Sequence, residues 1–240
     1  MKSDRYFHST AAALILAITI VGFVAFYTKG RGEGGRVIDP ALMVVVITHG
    51  MSITAWYLLS LTQTLLIATK NRKVHMTLGW SAVVLLPVIA VSGVQVAVRS
   101  ARSAPGFQFF GMDYQHAFLL VMIVEIAVFT ALVLAGILTR KRPEIHRGLM
   151  LSASLSLLIG ATTRIPWLVA LFGGPDSRVA FFGPVFTLGL ILLAARWLTS
   201  GKFDRWFATG YGFMVVTFLV AEQLSRTDAW RQVAAGLLKG

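Results

Sequence analysis

Apolar residues run along this chain in seven long stretches separated by short polar turns. A helix that crosses a bilayer needs about 20 predominantly apolar residues. The stretches that qualify lie at 10–28, 40–68, 75–98, 114–139, 146–171, 179–199 and 207–222, and the pattern predicts a transmembrane helix over each. The second and fourth are longer than a bilayer requires and should tilt or project. After the last, the tail 223–240 carries Trp230, Val233, Ala234, Leu237 and Leu238 at helical spacing. That spacing predicts a short helix lying in the membrane interface. The expected fold is all-α: one integral membrane domain over 1–240, in which helices 2–5 form a central four-helix bundle.

Lys2 and Arg5 precede the first stretch, as basic residues precede a signal peptide. The stretch is long for a signal, and the YTKGRGEGG that follows contains no small-x-small cleavage site. It is expected to stay as an anchor. The glycines from Gly30 to Gly35 resemble a phosphate loop only superficially, because no strand precedes them. A flexible connection is the expected role.

Composition narrows the class. Hydrophobic residues make up 56% of the chain and charged ones 13%, which excludes a disordered chain, a collagen-like chain and an ordinary cytosolic enzyme. The absence of cysteine excludes disulfides, thiolate metal sites, iron–sulfur clusters and cysteine nucleophiles. The net charge of +12 sits mainly in short loops, where it sets topology and meets lipid headgroups, so the expected partner is the bilayer and not nucleic acid. Lys and Arg are more numerous at the end that carries Lys2, Arg5, Lys70–Lys73, Arg140–Arg142 and Arg147. This bias predicts a cytoplasmic N-terminus and an external C-terminus.

Chemistry enters with the histidines. His8 precedes the first helix, and His49, His75, His116 and His146 fall one each on helices 2, 3, 4 and 5. His49 lies 20 residues before Thr69 and His116 lies 23 before Thr139. At 1.5 Å per residue both stand roughly 30 to 35 Å from the inner face. His75 and His146 open their helices from basic inner loops, in the similar runs NRKVHMTLGW and KRPEIHRGLM. The set therefore divides into an outer pair, His49 with His116, and an inner pair, His75 with His146. In a four-helix bundle, facing imidazoles can clasp a macrocycle. Two histidines on one iron describe a b-type haem suited to electron transfer. One or two such haems are expected. Gly93 and Gly160, on the far halves of the inner-ligand helices, would leave room for an outer macrocycle, and Arg164 would neutralise its propionates. The bland alternative is that these are hydrogen-bonded interfacial histidines.

Other polar groups lie within the apolar stretches. Glu125 is near the middle of helix 4, nine residues from His116 and so on the opposite face. Charges in a bilayer pair or serve a site. Glu125 is open to two readings: proton exchange with quinone or a proton path, or a structural ion pair with Arg164. Gln63, Gln95 and Gln115 are candidate helix–helix hydrogen-bond partners. Asp113 and Gln115 are candidates to orient an outer imidazole. Trp56, Trp80, Trp167 and Trp197 read as packing or interfacial residues.

The layout of His49, His75, His116 and His146 resembles the ascorbate-reducible di-haem transmembrane cytochromes b, over about residues 40–170. In that family four consecutive helices each donate one histidine and ligands pair between alternate helices. The resemblance implies electron transfer across a membrane. In wording, HGMSITAWYLLSLTQTLLIATKNRKVHMTLGW and RPEIHRGLMLSASLSLL are similar to a group of uncharacterised bacterial multi-pass membrane proteins, which implies a bacterial cytoplasmic (inner) membrane.

Three function classes follow. The first is a membrane electron-transfer protein exchanging electrons with quinone. The second is a zinc hydrolase, which wants three or four ligands at one depth; the chain has no H-x-x-x-H pair. The third is a non-catalytic subunit or assembly factor of a larger membrane complex, which short loops suit. A retinal protein is disfavoured, since 207–222 contains no lysine for a Schiff base.

Overall fold

The computed structural model describes residues 2–32 and 37–239, so the Gly30–Gly35 connection lies partly outside the described residues. Seven helical segments are long and apolar enough to cross a membrane: Tyr6–Lys29, Pro40–Ala68, Arg72–Arg102, Tyr114–Leu138, Pro143–Thr162, Arg178–Ser200 and Arg205–Leu224. Large apolar side chains stand exposed around the outside, among them Val44 (75%), Leu138 (78%) and Leu198 (81%). A soluble monomer does not present so continuous an apolar surface. The molecule is an all-α integral membrane protein.

Helix α1 (Lys2–Lys29) and α2 (Pro40–Ala68) are unbroken. Asp39 caps α2 by accepting from the Ala41 N–H, and Pro40 occupies the first helical position, where its missing donor costs nothing. The third span is divided into α3 (Arg72–Leu78) and α4 (Ser81–Arg102) by a break at Gly79 and Trp80. A small hairpin precedes the fourth span: β1 (Gln108–Phe109) pairs antiparallel with β2 (Met112–Asp113). Its two turn residues, Phe110 and Gly111, both have positive φ, at 52° and 67°. This is the turn whose twist suits a two-residue hairpin. Asp113 then caps a wide first turn over Tyr114–Phe118, accepting from Gln115 N and His116 N, before α5 (Leu119–Leu138).

The fifth stretch is the one most changed from expectation. It is α6 (Pro143–Ser156), a short α7 (Ile159–Thr162) and α8 (Pro166–Leu171) in place of one helix over 146–171. Pro166 forces the residue before it out of helical conformation, and Ile165 is extended, with φ −100° and ψ 102°. The last spans are α9 (Arg178–Ser200) and α10 (Arg205–Leu224), and α11 (Asp228–Lys239) is the short terminal helix expected from the tail.

Spans 2 and 3 lie together, as do 3 and 4, and 4 and 5. The ring closes where Trp56 and Tyr57 of α2 meet α6: Trp56 Nε1 donates to Ser154 Oγ at 3.2 Å and the Tyr57 hydroxyl to the Ser154 carbonyl at 3.2 Å. Small residues let helix backbones approach, as is usual in membranes. A Cβ on Gly22 of α1 would collide with the Ala161 backbone of α7, and one on Gly148 of α6 with the Phe207 backbone of α10. Span 1 is thereby fixed against the interrupted fifth span, and span 7 against α6.

Candidate functional site

The basic end of the bundle holds the first cluster. His75 is carried on α3, whose amino end is set by the Asn71 cap, and His146 lies in the first turn of α6, just after Pro143. The two rings meet with centroids 6.5 Å apart and planes at 86°. Each ring is held from behind by a main-chain carbonyl of the preceding span. His75 Nδ1 faces the Gln63 carbonyl at 3.3 Å and His146 Nδ1 faces the Gly136 carbonyl at 2.8 Å. A carbonyl can only accept, so Nδ1 carries the proton in both rings. In the neutral form of each ring Nε2 then carries the lone pair. Gly136 packs closely here: a Cβ on it would lie 2.7 Å from Met150 Sδ, so Met150 would have to shift. The Gln63 side chain is buried nearby, and its Oε1 and Nε2 have no hydrogen-bond partner among the described residues. A buried amide without a partner is uncommon and points to a ligand or water at that place.

The second cluster lies toward the opposite end. His49 Nδ1 faces Ser92 Oγ at 3.1 Å, while Ser92 Oγ gives its own proton to the Val88 carbonyl. Ser92 therefore accepts, and His49 too is a ring protonated on Nδ1 with Nε2 unprotonated. Gly93 does not leave room for a macrocycle: a Cβ there would fall 2.9 Å from His49 Cε1 and 2.5 Å from Ile126 Cδ1, so the imidazole and Ile126 occupy that space.

His49 lines a cavity of about 120 Å³ that draws on spans 1 to 6, span 3 contributing Val96 alone. Glu125 and Arg164 line the same cavity, with Thr19, Thr163 and Gly160. Its aromatic walls include Phe23, Phe26 and Tyr27 of α1 and Phe181 of α9. Arg164 is fixed in place: its guanidinium lies 4.6 Å from the centre of the Phe23 ring and Nη1 donates to the Gly160 carbonyl. Such stacking on an aromatic face favours the cation. Across the mouth, the Tyr27 hydroxyl meets Thr54 Oγ1 at 2.5 Å.

His116 stands apart from this cavity. It sits at the start of the fourth span, with Nδ1 3.2 Å from Asp113 Oδ2 and its side chain 31% exposed. Trp230 of α11 donates its indole N–H to the His116 carbonyl at 2.8 Å, which seats the terminal helix over this corner. Gln115 Nε2 reaches the Ala101 carbonyl of span 3 and not the imidazole. Gln95 is exposed. Among the described residues, His75 and His146 are the one pair of histidines in ring contact, and no three His, Asp or Glu side chains gather as a metal site.

Sequence reasoning placed the four histidines but missed what holds them: the Gln63 and Gly136 carbonyls and the Ser92 hydroxyl. It also missed the aromatic wall of α1. A signal was present, since Phe23, Phe26 and Tyr27 follow one another at helical spacing. No protein-family model, no curated protein and no solved structure matches this chain. What stands of the sequence resemblance is a multi-pass helical membrane architecture with seven candidate spans.

Proposed function

We propose that this protein is a membrane electron-transfer protein that carries haem b between His75 and His146 and exchanges electrons with quinone. The observation that supports this reading is the ring separation of 6.5 Å with both Nδ1 atoms engaged by carbonyls. An imidazole nitrogen binds a metal at about 2 Å, and its ring centre lies about 1 Å further back. Two ligands on opposite sides of one metal then have centres about 6 Å apart. A ring whose far nitrogen is fixed by a carbonyl is the usual form of a histidine ligand. Two neighbouring imidazoles, with no three His, Asp or Glu side chains gathered among the described residues, suit haem iron, whose macrocycle brings its own nitrogen donors, better than zinc.

When bound there, held by His75 and His146, the haem would supply one-electron chemistry. The chain's residues do the rest. His75 and His146 would hold the group, and the buried Gln63 amide, without a hydrogen-bond partner among the described residues, would be free to donate to it. Arg72 and Lys73 form the first turn of α3, and Arg140, Lys141 and Arg142 precede α6, so cationic groups lie near both histidines and would favour a ligand that carries carboxylates. In this reading the basic end faces the cytoplasm of a bacterial cell and the membrane is its inner one. The sequence pattern pairs His49 with His116 as a second haem site, but His49 lines a cavity to which His116 does not contribute, so the second haem is not part of this proposal. The arrangement supports one haem more directly, because His49 turns to Ser92 and His116 to Asp113.

The test is an absorption spectrum of the purified protein, oxidised and then reduced with dithionite. A Soret band that sharpens on reduction, lost in both His75→Ala and His146→Ala, supports the reading. A purified, folded protein without such a band after expression with haem supplied ends it.

A further inference from the structure

We infer that the cavity lined by His49, Glu125 and Arg164 is a binding site for the single ring of a benzoquinol. This deepens the proposed exchange with quinone and rests on that reading for its biological sense, though not for the binding itself.

The argument is from size, charge and hydrogen bonding. A cavity of about 120 Å³ is of the order that takes one six-membered ring, not two fused ones. Glu125 and Arg164 cancel in formal charge, so the lining favours a neutral ligand over a phosphate or carboxylate. The aromatic side chains of Phe23, Phe26 and Phe181 in the lining favour an aromatic ring, which they can meet face-on or edge-on. His49, with Nδ1 committed to Ser92, presents an accepting nitrogen, and Glu125 a second acceptor. Two acceptors match the two hydroxyls of a quinol, and the Arg164 guanidinium supplies a donor for a ring oxygen. The six spans that line it belong to a lipid-embedded protein, which suits a ligand arriving from the bilayer.

The experiment titrates the detergent-solubilised full chain with decyl-benzoquinol and, separately, with decyl-benzoquinone, following tryptophan fluorescence. Wild type should bind the quinol saturably, and a naphthoquinol of equal chain length at least about tenfold more weakly. Glu125→Gln should weaken quinol binding about tenfold while quinone binding changes less than about twofold, since the amide replaces a charged acceptor. Gly160→Leu, which fills the cavity, should abolish saturable binding of both. Each variant's folding is checked by circular dichroism, and a Trp197→Phe protein, changed at an exposed residue outside the cavity lining, should bind the quinol as wild type does. Non-saturable quenching, or binding that neither Glu125→Gln nor Gly160→Leu alters, overturns the inference. So does a second haem lost on His49→Ala. Quinol binding in a protein that carries no haem leaves this site standing and removes the proposed electron transfer. Haem without quinol binding does the reverse.

Discussion

Trp56 and Phe129 meet edge to face with ring centroids 4.9 Å apart, midway along the four-helix bundle. Both are almost wholly buried, at 1% and 0% exposure. Trp56 is seven residues from His49 and seven from Gln63, so about 10 Å of helix separates it from each candidate site. The bundle is thus closed by packed aromatic side chains between its two ends, and the indole also ties α2 to α6 through Ser154. Trp56→Ala should lower stability by about 3–5 kcal/mol, as truncations of large buried aromatics do. A fall in thermal midpoint for Trp56→Ala, with a smaller fall for Trp56→Phe, would be seen in a melt followed by circular dichroism. Equal midpoints for wild type and Trp56→Ala would contradict the packing described.

Gly136 serves His146 twice, by its carbonyl and by its lack of a side chain. Gly136→Val should push Met150 and His146 out of position. The expected result is loss of at least half the haem per protein in a pyridine haemochrome assay, with the helical signal retained. A mutant that loads fully would show that the ring needs no such support.

Acid should strip the proposed haem and mild alkali should not. Ligation needs an unprotonated Nε2 on both His75 and His146, and protons compete for those lone pairs as pH falls. The sign is fixed by this competition. A Soret band lost on lowering pH and recovered on neutralisation is expected; retention into strong acid would argue against two histidine ligands.

Glu222 is a carboxylate at 6% exposure, paired with Arg178 and Arg226. Arg178 also donates to the Gly111 carbonyl of the hairpin at 3.1 Å. Glu222→Ala leaves two cations facing each other and frees the hairpin. A loss of about 2 kcal/mol is expected, less than for a fully buried pair because both arginines are partly exposed. Limited proteolysis at the hairpin should accelerate in step.

The chain contains no cysteine, so single cysteines report cleanly on sidedness. Lys70→Cys and Gly106→Cys lie at opposite ends of the bundle. In intact cells a membrane-impermeant maleimide should label the second and spare the first. The reverse pattern would invert the proposed orientation.

Much of the fold was legible because apolar runs of membrane-spanning length leave few alternatives. The break in the fifth span was written in Pro166, but hydropathy continues across it, and a hydropathy reading does not see a backbone turn. The hairpin at Phe110 and Gly111 was too short to leave a periodic signal. Of the sites, the pairing of His75 with His146 followed from depth alone, since both open a helix from a basic loop. The outer cavity could not be read that way. It takes Phe23, His49, Glu125, Arg164 and Phe181 from five separate spans, and which faces of five helices converge is decided by packing such as Gly22 on Ala161.

That same contact between Gly22 and Ala161 bears on only one of the two proposed sites. The imidazole clamp is built wholly from residues 63–146, whereas the pocket at the far end borrows an entire wall from α1. A shortened chain beginning after Lys29 would keep the first and expose the second to acyl chains, turning a selective chamber into an open groove.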